Sequence, residues 1–241
     1  MLCIYTHKIT HRNKYIFNLM FKDLLGIDFV LTNDLDEFKK SEAAKLSYSS
    51  RPLGNELHFA SCNLLFETGV TDQDITVFEH KNIPVFYGTH KTSILPFDVF
   101  AASFYLVSRY EEYLPHIRDE HDRFEAKHSL AFANNFLHLP VVNIYAQWIK
   151  ECIQTKFPDF AFPKLDYNFI STIDIDNAYA YSEKGMVRTI GGYLKSILTF
   201  NFNEIITRTR VLLRREKDPY DTYDYQLEMI KKYHLKCIYF F

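Results

Sequence analysis

The spacing of hydrophobic and polar positions changes period several times along the chain, and each change predicts an element. MLCIYTH, residues 1–7, is a short apolar run suited to a buried strand. THRNKYIFNLMFKDLLG, residues 10–26, repeats its apolar positions at helical spacing, with Thr10 or His11 as N-cap and Gly26 as the stop. IDFVLTND reads as a second strand, so the chain opens strand–helix–strand and predicts an α/β layer. Between residues 40 and 92 the pieces AAKLSYS, ELHFAS, ITVFEH and IPVFYG read as short strands punctuated by Gly and Pro. PFDVFAASFYLVSRYEEYL, residues 96–114, predicts a helix capped by Asp98, apolar nearly all round in its first turns and so deeply buried. The polar stretch PHIRDEHDRFEAKHS follows, then a second helix, LPVVNIYAQWIKECIQTKF, entered through Pro140.

PDFAFPKLDY, residues 158–167, has two prolines and no period, and it marks a domain boundary. The pattern predicts an N-terminal α/β domain over 1–163 and a second unit over 164–241. In the second unit a strand over 168–174 leads into a loop and a helical region reaching about Lys217. Asp218-Pro219 signals a turn, and Asp221 or Thr222 caps a helix whose Tyr223, Leu227 and Ile230 share one face. The last run, CIYFF, is an apolar strand. It sits in an existing sheet, or the sequence is a piece of a longer protein.

The strand over 168–174 ends in two acids, Asp174 and Asp176, within NFISTIDIDNAYAY. Alternation places Thr172, Asp174 and Asp176 on one face, with the two acids roughly 6–7 Å apart at Cα. Such a pair at a strand's carboxyl end suits a metal site or a phosphoryl acceptor. Equally, both acids read as caps of the following turn, helped by Asn177.

Composition narrows the classes. Hydrophobic residues make up 47% and charged residues 24%, an ordinary globular balance. A net charge of −2 gives no bulk electrostatic case for nucleic acid or an anionic membrane. No apolar run is long enough for a transmembrane segment. Cys3, Cys62, Cys152 and Cys237 form no C-x-x-C pair, which suits a reducing compartment, and no secretion signal opens the chain. A cytoplasmic protein is expected.

STIDID resembles the first motif of the nodulation-type polysaccharide deacetylases, carbohydrate esterase family four, written there T-F-D-D. TIDIDNAYAY, GGYLKS, KDPYDTYDY and CIYFF resemble the start of the deacetylase domain in a bacterial subgroup of polysaccharide deacetylase-like proteins. That subgroup carries a separate α/β domain ahead of the deacetylase part, which PFDVFAASFYLVSRYEEYLPHIRDEHDRFEAKHSLAF resembles. The resemblance implies an incomplete, distorted (β/α) barrel from near residue 168, with CIYFF as its second strand beside 168–174. It implies Asp174 as catalytic base and Asp176 as metal ligand, although Ile175 stands where the family's second acid falls. A divalent metal, zinc or similar, is implied only if histidine ligands from a later H-x-x-x-H-like motif are present. No such motif follows Asp176 in this sequence, so it is expected to be inactive by itself. The implied substrate is an N-acetylated glycan or a lipid-linked sugar.

Other readings of the same acids are a haloacid-dehalogenase-type phosphatase, a D-x-D glycosyltransferase, and a non-catalytic carbohydrate-binding or interaction protein. Asp218, Asp221 and Asp224 read as turn and helix caps. His7 with His11, and His116, His121 and His128, read as surface or loop histidines rather than metal ligands. Arg109 with Glu112 reads as a helix-end ion pair, and TRTRVLLRREK as a solvated basic face. Gly191-Gly192 has no phosphate-loop context.

Overall fold

The first strand, β1 (Leu2–Thr6), is buried along nearly its whole length, as a central strand of a parallel sheet covered on both faces must be. It pairs in parallel with β2 (Phe29–Thr32) on one side and β3 (Ala44–Ser49) on the other, and β3 pairs in parallel with β4 (Leu57–Ala60). The resulting order is β2-β1-β3-β4. The computed structural model describes residues 1–164 and 166–240. The chain folds as two units, Met1–Leu165 and Asp166–Phe241. Both are mixed α/β, and both contain parallel strand pairs.

Helix α1 (His11–Phe17) starts at Thr10, whose hydroxyl accepts from the Asn13 amide while the Asn13 side chain accepts from the Thr10 amide. The helix continues as a π-helical stretch over Asn18–Leu24, which the spacing alone did not predict, and Gly26 ends it at φ +67. It buries Ile16, Phe17, Met20 and Phe21 against the sheet. The helix α2 (Leu35–Lys40), capped by Asp34, falls where no element was expected. ITVFEH and IPVFYG give only β5 (Phe78–His80) and β6 (Ile83–Val85). These form an antiparallel hairpin apart from the main sheet, turned through Lys81 and Asn82 at positive φ.

Helix α3 (Val99–Val107) is shorter than the predicted 96–114 span. Arg109 takes a left-handed conformation, φ 54, and Tyr110–Tyr113 continue as a 3₁₀ turn. The physical reason is Tyr110. Leaving the helix lets its ring stack on Tyr105 at 5.3 Å while its hydroxyl donates to the Thr71 carbonyl. The Arg109–Glu112 ion pair is present at 2.5 Å. A short helix α4 (Leu130–Ala133) precedes α5 (Val141–Lys156). Phe100 centres the aromatic core, edge-on to Phe17 (4.9 Å), Phe59 (5.3 Å) and Tyr48 (5.4 Å).

Asp98 ties this core together. Its carboxylate caps α3 through the Phe100 and Ala101 amides, and it also accepts from the Tyr48 hydroxyl and the Cys62 amide, both at 2.7 Å. Burial pushes its pKa up; the hydrogen bonds oppose that push without cancelling it.

In the second unit, β7 (Ile170–Asp174) pairs in parallel with β8 (Lys236–Phe240), Asp174 opposite Phe240. This is the pairing expected of CIYFF, whose last residue, Phe241, lies outside the described residues. The predicted single helical region is two helices, α6 (Gly185–Leu198) and α7 (Phe202–Leu212), broken where Phe200 turns to φ 54. The helix α8 (Tyr223–Tyr233) follows and stops at His234, also left-handed. Among the described residues the strands of this unit make a two-stranded sheet and no closed barrel.

Candidate functional site

The alternation of β7 carries past its end. Thr172, Asp174 and Asp176 are exposed, whereas Ser171, Ile173 and Ile175 are half-buried. Both acids therefore lie on one face at the carboxyl end of the parallel pair. They border an open depression of about 420 Å³ together with Asn177, Tyr220, Tyr223 and Gln226. Neither carboxylate accepts a hydrogen bond from a described residue, so neither caps the turn that follows. The Gln226 side-chain amide donates to Thr222, and its buried oxygen meets no donor among the described residues.

The turn is capped from elsewhere. Asp218 accepts from three successive amides of the β7–α6 loop, Ala180 at 2.8 Å, Tyr181 at 2.9 Å and Ser182 at 3.0 Å, and from its own turn at Tyr220. Burial alone would raise this carboxyl, but the four backbone donors outweigh it and hold it down to about 2. Asp218 is thus more than the local turn cap its sequence context suggests; it also clamps a loop 36 to 38 residues away. No local pattern announces that bond. Tyr223 adds a second tie by donating to the Ala178 carbonyl at 3.0 Å. The loop leaving the acids is held at both Ala178 and Ala180–Ser182.

Arg208 departs from the expected solvated basic face. It is buried, paired with Glu204 at 2.7 Å, and lies over the rings of Tyr181 (5.0 Å) and Tyr193 (5.4 Å). Gly192 permits this, because a Cβ there would overlap the guanidinium. The pairing of α6 with α7 therefore depends on this glycine. Arg208→Ala is expected to lower the stability of the second unit by about 1.5 kcal/mol, read from urea unfolding followed by Tyr181 and Tyr193 resonances.

Two exposed carboxylates do not make up a metal site. No group of three His, Cys, Asp or Glu able to hold a metal ion occurs among the described residues. The metal that the family resemblance implies therefore does not fit the residues present. The histidines are spent singly. His7 packs on the Phe66 ring at 4.1 Å, His116 bonds the Leu114 carbonyl, and His128 faces Glu125 at 3.4 Å. Asp221 and Asp224 both face Lys217, at 3.9 Å and 2.7 Å. Among the described residues no helix is long and apolar enough to cross a membrane.

Residues 2–158 match the model of a family described as a family of unknown function (DUF7033). That span covers most of the first unit, and the chain belongs to this family. No curated protein and no solved structure matches the chain.

Proposed function

We propose that this DUF7033 chain acts on or binds N-acetylated glycans, free or lipid-linked. In this reading 1–163 is an accessory α/β domain and 164–241 opens a polysaccharide-deacetylase-like barrel. The observation that carries the reading is the position of Asp174 and Asp176 at the carboxyl end of a parallel strand pair, over a depression rimmed by tyrosine and amide side chains. Sites collect at that end of parallel strands, and tyrosine, amide and carboxylate groups together match the faces and hydroxyls of a sugar. A two-stranded parallel pair with Ile170, Ile238 and Phe240 exposed is also too small a sheet to stand alone, as the first strands of a larger one would be. The free cysteines fit a reducing compartment, so the cytoplasm is the proposed location.

Asp174 is the proposed proton acceptor. With no donor on it among the described residues, it is available to take a proton from water attacking the acetyl carbonyl and to pass that proton to the sugar nitrogen as the C–N bond breaks, which leaves acetic acid and the free amine. Asp176 lies on the same face as a further acceptor for the sugar. A second reading is glycan binding without turnover, in which the same tyrosine, amide and carboxylate groups hold the sugar.

The test is titration of the isotope-labelled chain with an N-acetylated glucosamine trisaccharide and its deacetylated counterpart, alongside an acetate-release assay. Selective shifts of the Asp174–Asn177 and Tyr223 amides are expected with the acetylated sugar, weakened about tenfold by Asp174→Asn. Acetate release that disappears in Asp174→Asn would establish the catalytic reading. Shifts without release would establish the binding reading. An unresponsive 174–177 loop would rule out both.

A further inference from the structure

A larger cavity, about 730 Å³, lies wholly within Met1–Leu165. Its walls come from the 52–58 segment, the β5–β6 turn, the 91–95 loop and α5. His58 lines it although the residue is 5% exposed, and its Nε2 has no partner among the described residues. An orphaned buried nitrogen in a cavity wall calls for an explanation.

The neighbours of His58 say what the nitrogen requires. Ser47 and His58 are cross-strand partners on β3 and β4. The Ser47 hydroxyl donates to Glu56 Oε1 at 2.8 Å and lies 2.9 Å from His58 Nδ1. Glu56 also accepts from the Leu53 amide at 2.6 Å. Burial would raise the Glu56 carboxyl, but these donors hold it below the ordinary range, so at neutral pH it only accepts. Ser47 has one proton, and Glu56 takes it. His58 Nδ1 must then be the donor to Ser47. Burial also pushes His58 down, against the pull of Glu56, so the ring is neutral. A neutral ring with its proton on Nδ1 presents a bare lone pair at Nε2. Its complement is a ligand O–H or N–H.

Further groups on the wall fit the same ligand. The Ser93 hydroxyl accepts from the Ala60 amide and keeps its own proton to donate. At the rim, Lys81 is paired with Glu151 and Lys156 with the Asn55 side chain, whereas Lys91 has no ion-pair partner among the described residues. The cavity therefore offers an acceptor, a hydroxyl donor and a cation, with Leu95 and Trp148 as apolar wall. Its volume is that of a small-molecule site.

We infer that this cavity binds an anionic sugar, with a ligand hydroxyl donating to His58 Nε2 and the ligand's negative group facing Lys91. The site is independent of the reading of Asp174 and Asp176, which lie in the other unit.

The experiment is long-range ¹H–¹⁵N NMR of the full chain, with glucuronic acid, glucose 6-phosphate and neutral glucose each added to about 10 mM. The free protein is expected to show His58 protonated at Nδ1. Glucuronic acid or glucose 6-phosphate should move the Nε2 resonance in the direction of a hydrogen-bonded acceptor, and comparison of the two separates carboxylate from phosphate. Lys91→Ala, a surface change, is expected to weaken the anionic sugar about threefold to tenfold and leave neutral glucose unchanged. His58→Phe is expected to abolish binding of both anionic sugars. The inference is overturned if His58 carries its proton on Nε2, if none of the probes perturbs it, or if glucose binds as tightly as its charged counterparts.

Discussion

Asp98→Ala is expected to destabilise the Met1–Leu165 unit by about 4 kcal/mol, one of the larger effects a single substitution produces. The side chain is 1% exposed and serves donors from three parts of the chain: the α3 amides of Phe100 and Ala101, the Cys62 amide and the β3 hydroxyl of Tyr48. Alanine leaves all of them buried without an acceptor, where water cannot replace the carboxylate. Tyr48→Phe removes one donor together with its need, and it keeps the ring against Phe100 and Phe17. Its expected cost is accordingly smaller, about 1 kcal/mol. Urea unfolding followed by Trp148 fluorescence measures both. Equal costs for the two variants would show that Asp98 acts through Tyr48 alone and not as the joint of α3, β3 and the Cys62 segment.

Asp218→Ala is expected to release the 180–182 loop and cost the second unit on the order of 2 kcal/mol, allowing for solvent screening. The same group sets an acid limit. Its folded pKa, about 2, lies below the ordinary 3.8. Its contribution is therefore complete above 3.8 and is lost as the pH falls from 3.8 through about 2. The amide protons of Ala180, Tyr181 and Ser182 should titrate together with a midpoint of about 2. Asp218→Asn should remove that titration. If the midpoint lay at 3.8 instead, the carboxylate would not be bonded to the loop in solution. Because this loop follows Asp174 and Asp176 directly, its release should also blunt any sugar-induced shift at residues 174–177.

Elements decided within a few residues were legible in the sequence. Thr10 and Asp98 were identifiable as caps because a cap bonds to amides two or three positions away. The deep burial of α3 followed from apolar residues on all its faces. That Thr172, Asp174 and Asp176 share one face followed from the two-residue period of a strand. The chain's α/β character was equally readable from pattern, whereas the partnership of 168–174 with CIYFF was expected from the family resemblance.

Where helices stopped was not, because long-range packing decided it. Arg109 leaves the helix so that Tyr110 can reach Tyr105 and Thr71, and the pull of Thr71 is invisible from residues 96–114 alone. Arg208 looked like one charge of a solvated face until the fold placed Tyr181, Tyr193 and the bare backbone of Gly192 around it. Asp218 looked like a turn residue until three amides of a distant loop turned toward it. The Glu56–Ser47–His58 relay needs β3 and β4 side by side in one register; the fragment ELHFAS shows only that Glu56 and His58 share a strand face. Period and capping depend on neighbours a few bonds away, so the sequence alone determined the class of fold and the shared face of Asp174 and Asp176. A buried polar group instead takes partners from wherever the fold brings an unmet donor or acceptor. Only the tertiary structure could therefore turn Asp218 into a clamp, Arg208 into core and His58 into the wall of a cavity.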